Sequence, residues 1–264
     1  SGSDGAITYD VAYKKHGDAT AIINTTPCGM YPNIGASAID LSRFENVKSV
    51  TDAVYNPLSS ALVISARERG INATGGLYML VSQAAYAVEK FTGGSISADK
   101  TEEVYREILR DKKNIVLIGM PGCGKTTIGK ISADRLHKEF IDTDDEIIKR
   151  INMPIADYFA KHGEESFRRL ESEVIKEISA CRSSVIATGG GAVLNPANIR
   201  LLKENGTVIF IDRPLEKLVT TADRPLSSSR ELHEKRYKER YGLYCAAADI
   251  KIDAVNEIEQ NVKN

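Results

Sequence analysis

The sequence is short of several things that would decide its class at once. No apolar run approaches the ~18 residues of a membrane-spanning helix. The start, Ser1-Gly2-Ser3-Asp4-Gly5, has neither the charged nor the apolar region of a signal peptide. Charge of one sign is also missing: 35 Lys and Arg against 36 Asp and Glu argue against nucleic acid or a membrane surface as partner. The four cysteines, Cys28, Cys123, Cys181 and Cys245, lie far apart without a C-x-x-C pair. A disulfide framework and a structural zinc site are thereby disfavoured, and a reducing, cytoplasmic compartment is expected. Asn24-Thr25-Thr26 and Asn72-Ala73-Thr74 match the glycosylation sequon but read as coincidence in such a chain. What remains is an ordinary globular composition, 42% hydrophobic and 27% charged, over 264 residues, enough for about two domains.

The most informative stretch runs from Asn114 to Thr127. Asn114-Ile115-Val116-Leu117-Ile118 reads as a buried parallel strand, Gly119-x-x-x-x-Gly124-Lys125-Thr126 as a phosphate-binding P-loop, and Ile128 to Leu136 as the following helix. Each residue type has a chemical reason. Gly119, Gly122 and Gly124, with Cys123, Lys125, Thr126 and Thr127, allow backbone N–H groups to close on phosphates at a helix N-terminus. Lys125 is suited to the β- and γ-phosphates, and the Thr126 hydroxyl to Mg²⁺. The pattern predicts a nucleoside-triphosphate site with ATP and Mg²⁺.

Before this stretch, strands are predicted at Ala19–Asn24, Val50–Val54 and Ile71–Thr74. A helix capped by Ser59 or Ser60 should run to Arg69, and another from Leu77 to Phe91 should stop at Gly93-Gly94. Three strand–helix steps on a parallel sheet are expected. No G-x-G-x-x-G follows a strand here, so a self-sufficient dinucleotide site is not expected. Asn24-Thr25-Thr26-Pro27-x-Gly29-Met30, Asp52-x-x-Tyr55-x-Pro57 and Gly75-x-x-Met79-Leu80-x-x-Gln83-Ala84 resemble the C-terminal part of shikimate dehydrogenase over residues 6–95. The resemblance implies a partial Rossmann-like segment whose Asn24 loop and Gly75/Met79 region approach the nicotinamide of NADP, with Tyr55 and Gln83 facing shikimate. The family's substrate domain and glycine-rich cofactor loop would precede residue 1. The segment alone is therefore expected to be inactive as a dehydrogenase, with NADP belonging to the complete parent. Contacts with that missing portion, or with another copy, are a further expectation. Residues 1–98 thus form one unit, and 99–113 a linker helix capped by Asp99 or Thr101, with Glu102 and Arg106 as an i,i+4 pair.

From 114 to 264 the strand–helix alternation continues, with strands at Phe140-Ile141, Val185–Ala187, Val208–Ile211 and Ile250–Ile252 and a helix over Glu164–Ala180. The fold class is α/β, a five-stranded parallel sheet flanked by helices. Four constellations accompany the P-loop. Asp142 and Asp144 are placed at a strand end, facing one crevice, with Asp145 and Glu146 opening the next helix. Arg168 lies near a helix start with Glu171 three residues on to orient it. Thr188-Gly189-Gly190-Gly191 is nearly bare backbone, open to close approach. Arg224-Pro225-Leu226 and Arg240-x-x-Leu243-Tyr244 supply further cations.

In this order behind a P-loop, these residues resemble shikimate kinase over 114–262. The resemblance implies that Asp144 binds the accepting hydroxyl of shikimate as base or orienter, and that Arg168 and Arg240 hold the carboxylate. It further implies that the Gly189–Gly191 strip holds the ring hydroxyls, that Thr126 and Asp142 serve Mg²⁺, and that Lys125 and Arg224 neutralise the transferred phosphoryl group. Two departures stand out. The arginine that in the family commonly lies near the adenine is either replaced by Thr220 or missing, in a short lid, and Cys123 replaces the usual alanine. A thiol at a helix N-terminus beside Lys125 suggests a lowered pKa, so that alkylation would block ATP. The alternative is a small residue that merely fits. A gluconate-type P-loop kinase and a non-catalytic ATP-binding docking module are the competing functional readings.

Overall fold

The computed structural model describes residues 7–218 and 230–254, and the chain divides into units at residues 1–111 and 112–264. In the first unit, α1 (Tyr9–Lys15) precedes β1 (Ala21–Asn24), β2 (Ser49–Asp52), α2 (Ala61–Glu68), β3 (Asn72–Thr74), α3 (Leu77–Thr92) and α4 (Ala98–Lys112). The three strands pair in parallel in the order β1-β2-β3. Leu41, Phe44, Val47, Val50, Leu62 and Ala66 form the core on which this sheet rests. Ser60 caps α2, its hydroxyl accepting from Val63 N at 3.3 Å, and Gly93 at φ +70° ends α3 in the left-handed conformation open to glycine.

Two local expectations are corrected here. Only a single 3-10 turn, Leu41–Arg43, lies between β1 and β2, so the unit has two strand–helix steps rather than three. Pro27, Gly29, Pro32 and Gly35 interrupt the first part of the intervening chain, and between 36 and 48 only the 3-10 turn forms. The linker helix α4 starts at Ala98, ahead of either expected cap, and Ser97 Oγ accepts from Lys100 N at 3.2 Å. Asp99 therefore sits inside the first turn, favourably placed for the helix dipole, rather than at the cap. The Arg106–Glu102 pair forms at 2.7 Å.

The second unit contains β4 (Asn114–Ile118), α5 (Lys125–Leu136), β5 (Glu139–Asp142), α6 (Thr143–Ile151), α7 (Ile155–Ser179), β6 (Ser184–Ala187), α8 (Pro196–Asn205), β7 (Gly206–Asp212), α9 (Arg230–Ala247) and β8 (Ile250–Asp253). Its sheet is five-stranded and parallel, ordered β5-β6-β4-β7-β8. Apolar side chains cover both faces, as a parallel sheet requires. Val116, Ile118, Ile186, Val208 and Phe210 meet the α6–α7–α8 side, and Leu117, Val185 and Ile211 pack with Ile128 and Ala133 of α5. The chain leaves β4 for one side of the sheet and later crosses to the other, so β4 marks the switch point, where crevices open at carboxyl ends. The helix expected over Glu164–Ala180 is the second part of a longer element. α7 starts at Ile155 and breaks at Gly163 (φ 78°, ψ 171°), a conformation that costs a glycine little. No described helix is long and apolar enough to cross a membrane.

Candidate active site

The carboxyl end of β4 runs directly into the P-loop. Gly119, Gly122 and Gly124 all have positive φ, at 149°, 80° and 99°. Glycine at 119 is also a packing requirement, since a Cβ there would stand 2.7 Å from Ile211 O and 3.0 Å from Cys123 Sγ. Lys125, the first residue of α5, is buried, and its ammonium donates to Gly119 O at 2.9 Å and Met120 O at 3.0 Å. Its charge thus lies inside the loop, held by backbone dipoles. Thr126 Oγ1 donates to Asp142 Oδ2 at 2.8 Å, joining the loop to the end of β5, while Thr127 is exposed. Cys123 is fully buried against Leu117, Ile128, Val185 and Ile211. The Lys125 ammonium lies 3.7 Å from its Sγ, as the sequence placed it, while complete burial matches the alternative of a small residue that packs.

The two aspartates differ from expectation in a useful way. Asp142 ends β5 and caps α6, its Oδ1 accepting from Asp144 N at 3.0 Å. Asp144 therefore belongs to the first turn of α6 rather than to a strand end. The helix starts earlier because the Asp142 carboxylate satisfies one of its free N–H groups. Asp144 still reaches the crevice. Its Oδ1 lies 2.6 Å from where a Cβ on Gly189 would stand, and Glu171 Oε1 lies 3.1 Å from the same point. The glycine strip itself is anchored from below, Gly189 N donating to Thr143 Oγ1 at 2.8 Å.

Arg168 occupies the first turn and a half after the Gly163 break, one guanidinium nitrogen on Glu171 at 2.8 Å and another on Glu164 at 3.2 Å. A Cβ on Gly191 would overlap this guanidinium, so the bare backbone is what admits the arginine. Arg168 Nε is buried without a hydrogen-bond partner, a donor left for something other than protein. Arg240 Nη1 donates to Gly190 O at 3.1 Å and Tyr244 OH donates to the same oxygen at 2.6 Å. Burial pushes the Glu171 carboxyl above its ordinary value. Arg168 pulls it back, the Asp144 charge pushes it further up, and Arg240 opposes. Burial works against the Arg168 cation, but Glu171 and Glu164 outweigh it and raise its pKa. Burial also raises the Tyr244 phenol, keeping it a neutral donor.

The acceptor and donor halves adjoin. A Cβ on Gly190 would stand 2.8 Å from the Pro121 ring, so the strip that Arg168, Arg240 and Asp144 approach lies against the P-loop. Arg224 and Thr220 fall outside the described residues. In the first unit, Tyr55, Met79 and Gln83 are exposed. Asn24 is instead buried, its Oδ1 accepting from Thr26 N and Oγ1 and its Nδ2 donating to Asp52 at 2.9 Å. Gly75 and Gly76 are occupied by close approach of the chain at Leu58 and Ala53. Both positions therefore require glycine, because the neighbouring backbone leaves no room for a side chain. Pro121 enters the site only through its contact with Gly190, which no local sequence pattern marks.

A family model for shikimate kinase matches residues 121–264. Shikimate kinase from Clostridium botulinum (strain Eklund 17B / Type B) is 45% identical over 159 residues, covering 58% of this chain and 96% of that protein. Shikimate kinase from Caldicellulosiruptor bescii is 51% identical over 107 residues, covering 40% of this chain and 62% of that protein. Among solved structures, the shikimate kinase of Acinetobacter baumannii in complex with shikimate aligns with TM-score 0.56 and 31% identity, covering 60% of this chain and 92% of that one.

Proposed function

The chain belongs to the shikimate kinase family, and we infer that its second unit transfers the γ-phosphoryl group of ATP to the 3-hydroxyl of shikimate, giving shikimate 3-phosphate and ADP. One observation carries the acceptor assignment: Arg168, with its unpartnered Nε, and Arg240 converge with Asp144 on a glycine strip that lies against the P-loop. Two guanidinium groups suit one planar carboxylate, and a nearby carboxylate suits a hydroxyl.

In the transfer, the shikimate hydroxyl oxygen forms a bond to the γ-phosphorus as the bond from that phosphorus to the β–γ bridging oxygen breaks. Asp144 orients the hydroxyl and takes its proton, and the bridging electrons leave on ADP. Lys125 exchanges its carbonyl partners at Gly119 and Met120 for phosphate oxygens, and the N-terminal amides of α5 add their dipoles. Glu171 acts through Arg168, fixing its guanidinium plane for the carboxylate. Arg224, beyond the described residues, is assigned the remaining charge on the transferred group. Among the described residues no group of three or more His, Cys, Asp or Glu is placed to hold a metal. The Thr126 hydroxyl and Asp142 carboxylate, 2.8 Å apart, nevertheless fit Mg²⁺, which usually keeps several waters and takes its other ligands from phosphates. When bound, the ion supplies charge neutralisation across the phosphates.

The first unit we assign to the tail of a shikimate dehydrogenase, making the parent bifunctional. The three motifs over residues 6–95 support this, since one activity would make the substrate of the other.

The deciding assay is ADP release from Mg·ATP with and without shikimate, with Asp144→Asn as control. Shikimate-dependent turnover lost in the variant is the expected result. ATP binding without shikimate-dependent turnover would favour a docking module. Turnover with another sugar acid would move the argument to the acceptor pocket.

A further inference from the structure

Arg213 follows the last residue of β7, the strand paired with β4 through Ile118↔Phe210, and so emerges at the edge of the sheet where the P-loop begins. Its Nη1 lies 3.7 Å from where a Cβ on Gly124 would stand. Its Nε is buried and has no hydrogen-bond partner. The acid next to it does not claim it: Asp212 Oδ2 is taken by Lys251 at 2.8 Å and by the Tyr241 hydroxyl at 2.9 Å. Nor does any other described carboxylate form an ion pair with it. A permanent cation with a dehydrated, unpaired N–H thus rests against the glycine that opens α5. Such a donor is costly unless an anion completes it.

The backbone at the end of a P-loop cradles the α- and β-phosphates, whereas the P-loop lysine reaches the β- and γ-phosphates. We propose that Arg213 binds the non-transferred phosphates of the nucleotide, a cation contributed from β7 to the ATP site. The assignment rests on the P-loop being a nucleotide site, and it deepens that reading. Because ATP and ADP carry these phosphates alike, Arg213 contributes equally to the substrate, transition-state and product complexes. Losing it should raise KM for ATP while leaving kcat and the KM for shikimate nearly unchanged.

The test is calorimetric titration of ADP, without shikimate, into the full chain and into Arg213→Ala, Arg213→Gln and Arg213→Lys, with adenosine as a second probe. Arg213→Ala and Arg213→Gln should weaken ADP about 10- to 100-fold, the range of a hydrogen bond to a charged group. Arg213→Lys should recover part of the loss, and adenosine binding should not change. A merely structural arginine would lower the melting temperature without this phosphate dependence. ADP affinity within twofold of wild type in a folded Arg213→Gln overturns the proposal, as does equal weakening of adenosine and ADP. Absence of ADP binding in the unmutated chain would instead overturn the nucleotide reading on which the proposal rests.

Discussion

Asp52 and Asp142 each end a parallel strand, one in each unit, and each carboxylate accepts a backbone N–H two residues on. Their remaining partners separate them. Asp52 is fully buried, and Asn24 Nδ2 and Ser60 Oγ complete its acceptors, so every donor is protein. Asp142 is half-buried and shares its second oxygen with a P-loop hydroxyl at the mouth of a crevice. The first arrangement locks strand ends together, and the second leaves a carboxylate beside the place where phosphates and a cation come to rest. A strand-end carboxylate is therefore not a site by position alone. It becomes one when its neighbours are glycine backbone, cations and a donor without a protein partner, as Arg168 Nε is.

Substitutions that separate chemistry from folding sharpen this contrast most. Asp144→Asn should lower kcat by roughly 10²–10⁴-fold, the range for general acid–base groups. ADP affinity measured by calorimetry should stay near wild type. A kcat within threefold of wild type would show that Asp144 neither takes the proton nor orients the hydroxyl. Arg168→Lys keeps the charge but loses the planar fork, so KM for shikimate should rise about 10-fold or more with KM for ATP unchanged. Steady-state titration of each substrate checks it, and an equal rise for both would displace Arg168 from the carboxylate.

Asp52→Asn addresses the other unit. It sets an amide N–H₂ either against the Ser60 hydroxyl on the Oδ2 side or against the Asn24 and Val54 donors on the Oδ1 side, and should destabilise the first unit by about 1–3 kcal/mol. Urea unfolding reports that loss, and kcat of the kinase should remain within twofold. A fall in kcat would mean that the two aspartates serve one function.

The smallest expected effect concerns pH. Burial raises the Glu171 carboxyl above its ordinary 4.5, so the folded chain holds this proton more tightly than the unfolded one. Its contribution to stability is greatest at and below pH 4.5 and declines as pH rises through the raised value. The stability difference between wild type and Glu171→Gln should therefore shift in favour of the variant as pH rises above 4.5. A difference independent of pH would remove burial as the governing cause.

Much of this was legible in residue order because it depends on local rules. The P-loop, the strands leading into it, the Ser60 cap, the Gly93 stop and the Arg106–Glu102 pair each follow from a few adjacent residues. The start of α6 is not legible locally, because Asp142 can end a strand or cap a helix and local pattern does not rank the two. The choice of Ser97 to open α4 is hidden for a similar reason, as several cap-forming residues stand in a row. The Asp52 network, Pro121 against Gly190, and Arg213 against Gly124 join residues far apart in the chain. None carries a periodicity that announces it.

Sequence alone determined that a buried strand runs into a phosphate loop, that five strands alternate with helices, and which residue types are available for a carboxylate and a hydroxyl. Those properties follow from side-chain period, glycine's freedom at positive φ and the donor inventory of arginine, all encoded within a turn or two. Tertiary structure alone decided which cations are already spent and which are not. Arg168 is tied to Glu171, Arg240 to Gly190 O, Lys125 to loop carbonyls, and Arg213 to no described partner. That assignment depends on parallel register bringing the carboxyl ends of β4, β5, β6 and β7 to one edge, where hydrogen-bond reach rather than sequence distance selects the pairs.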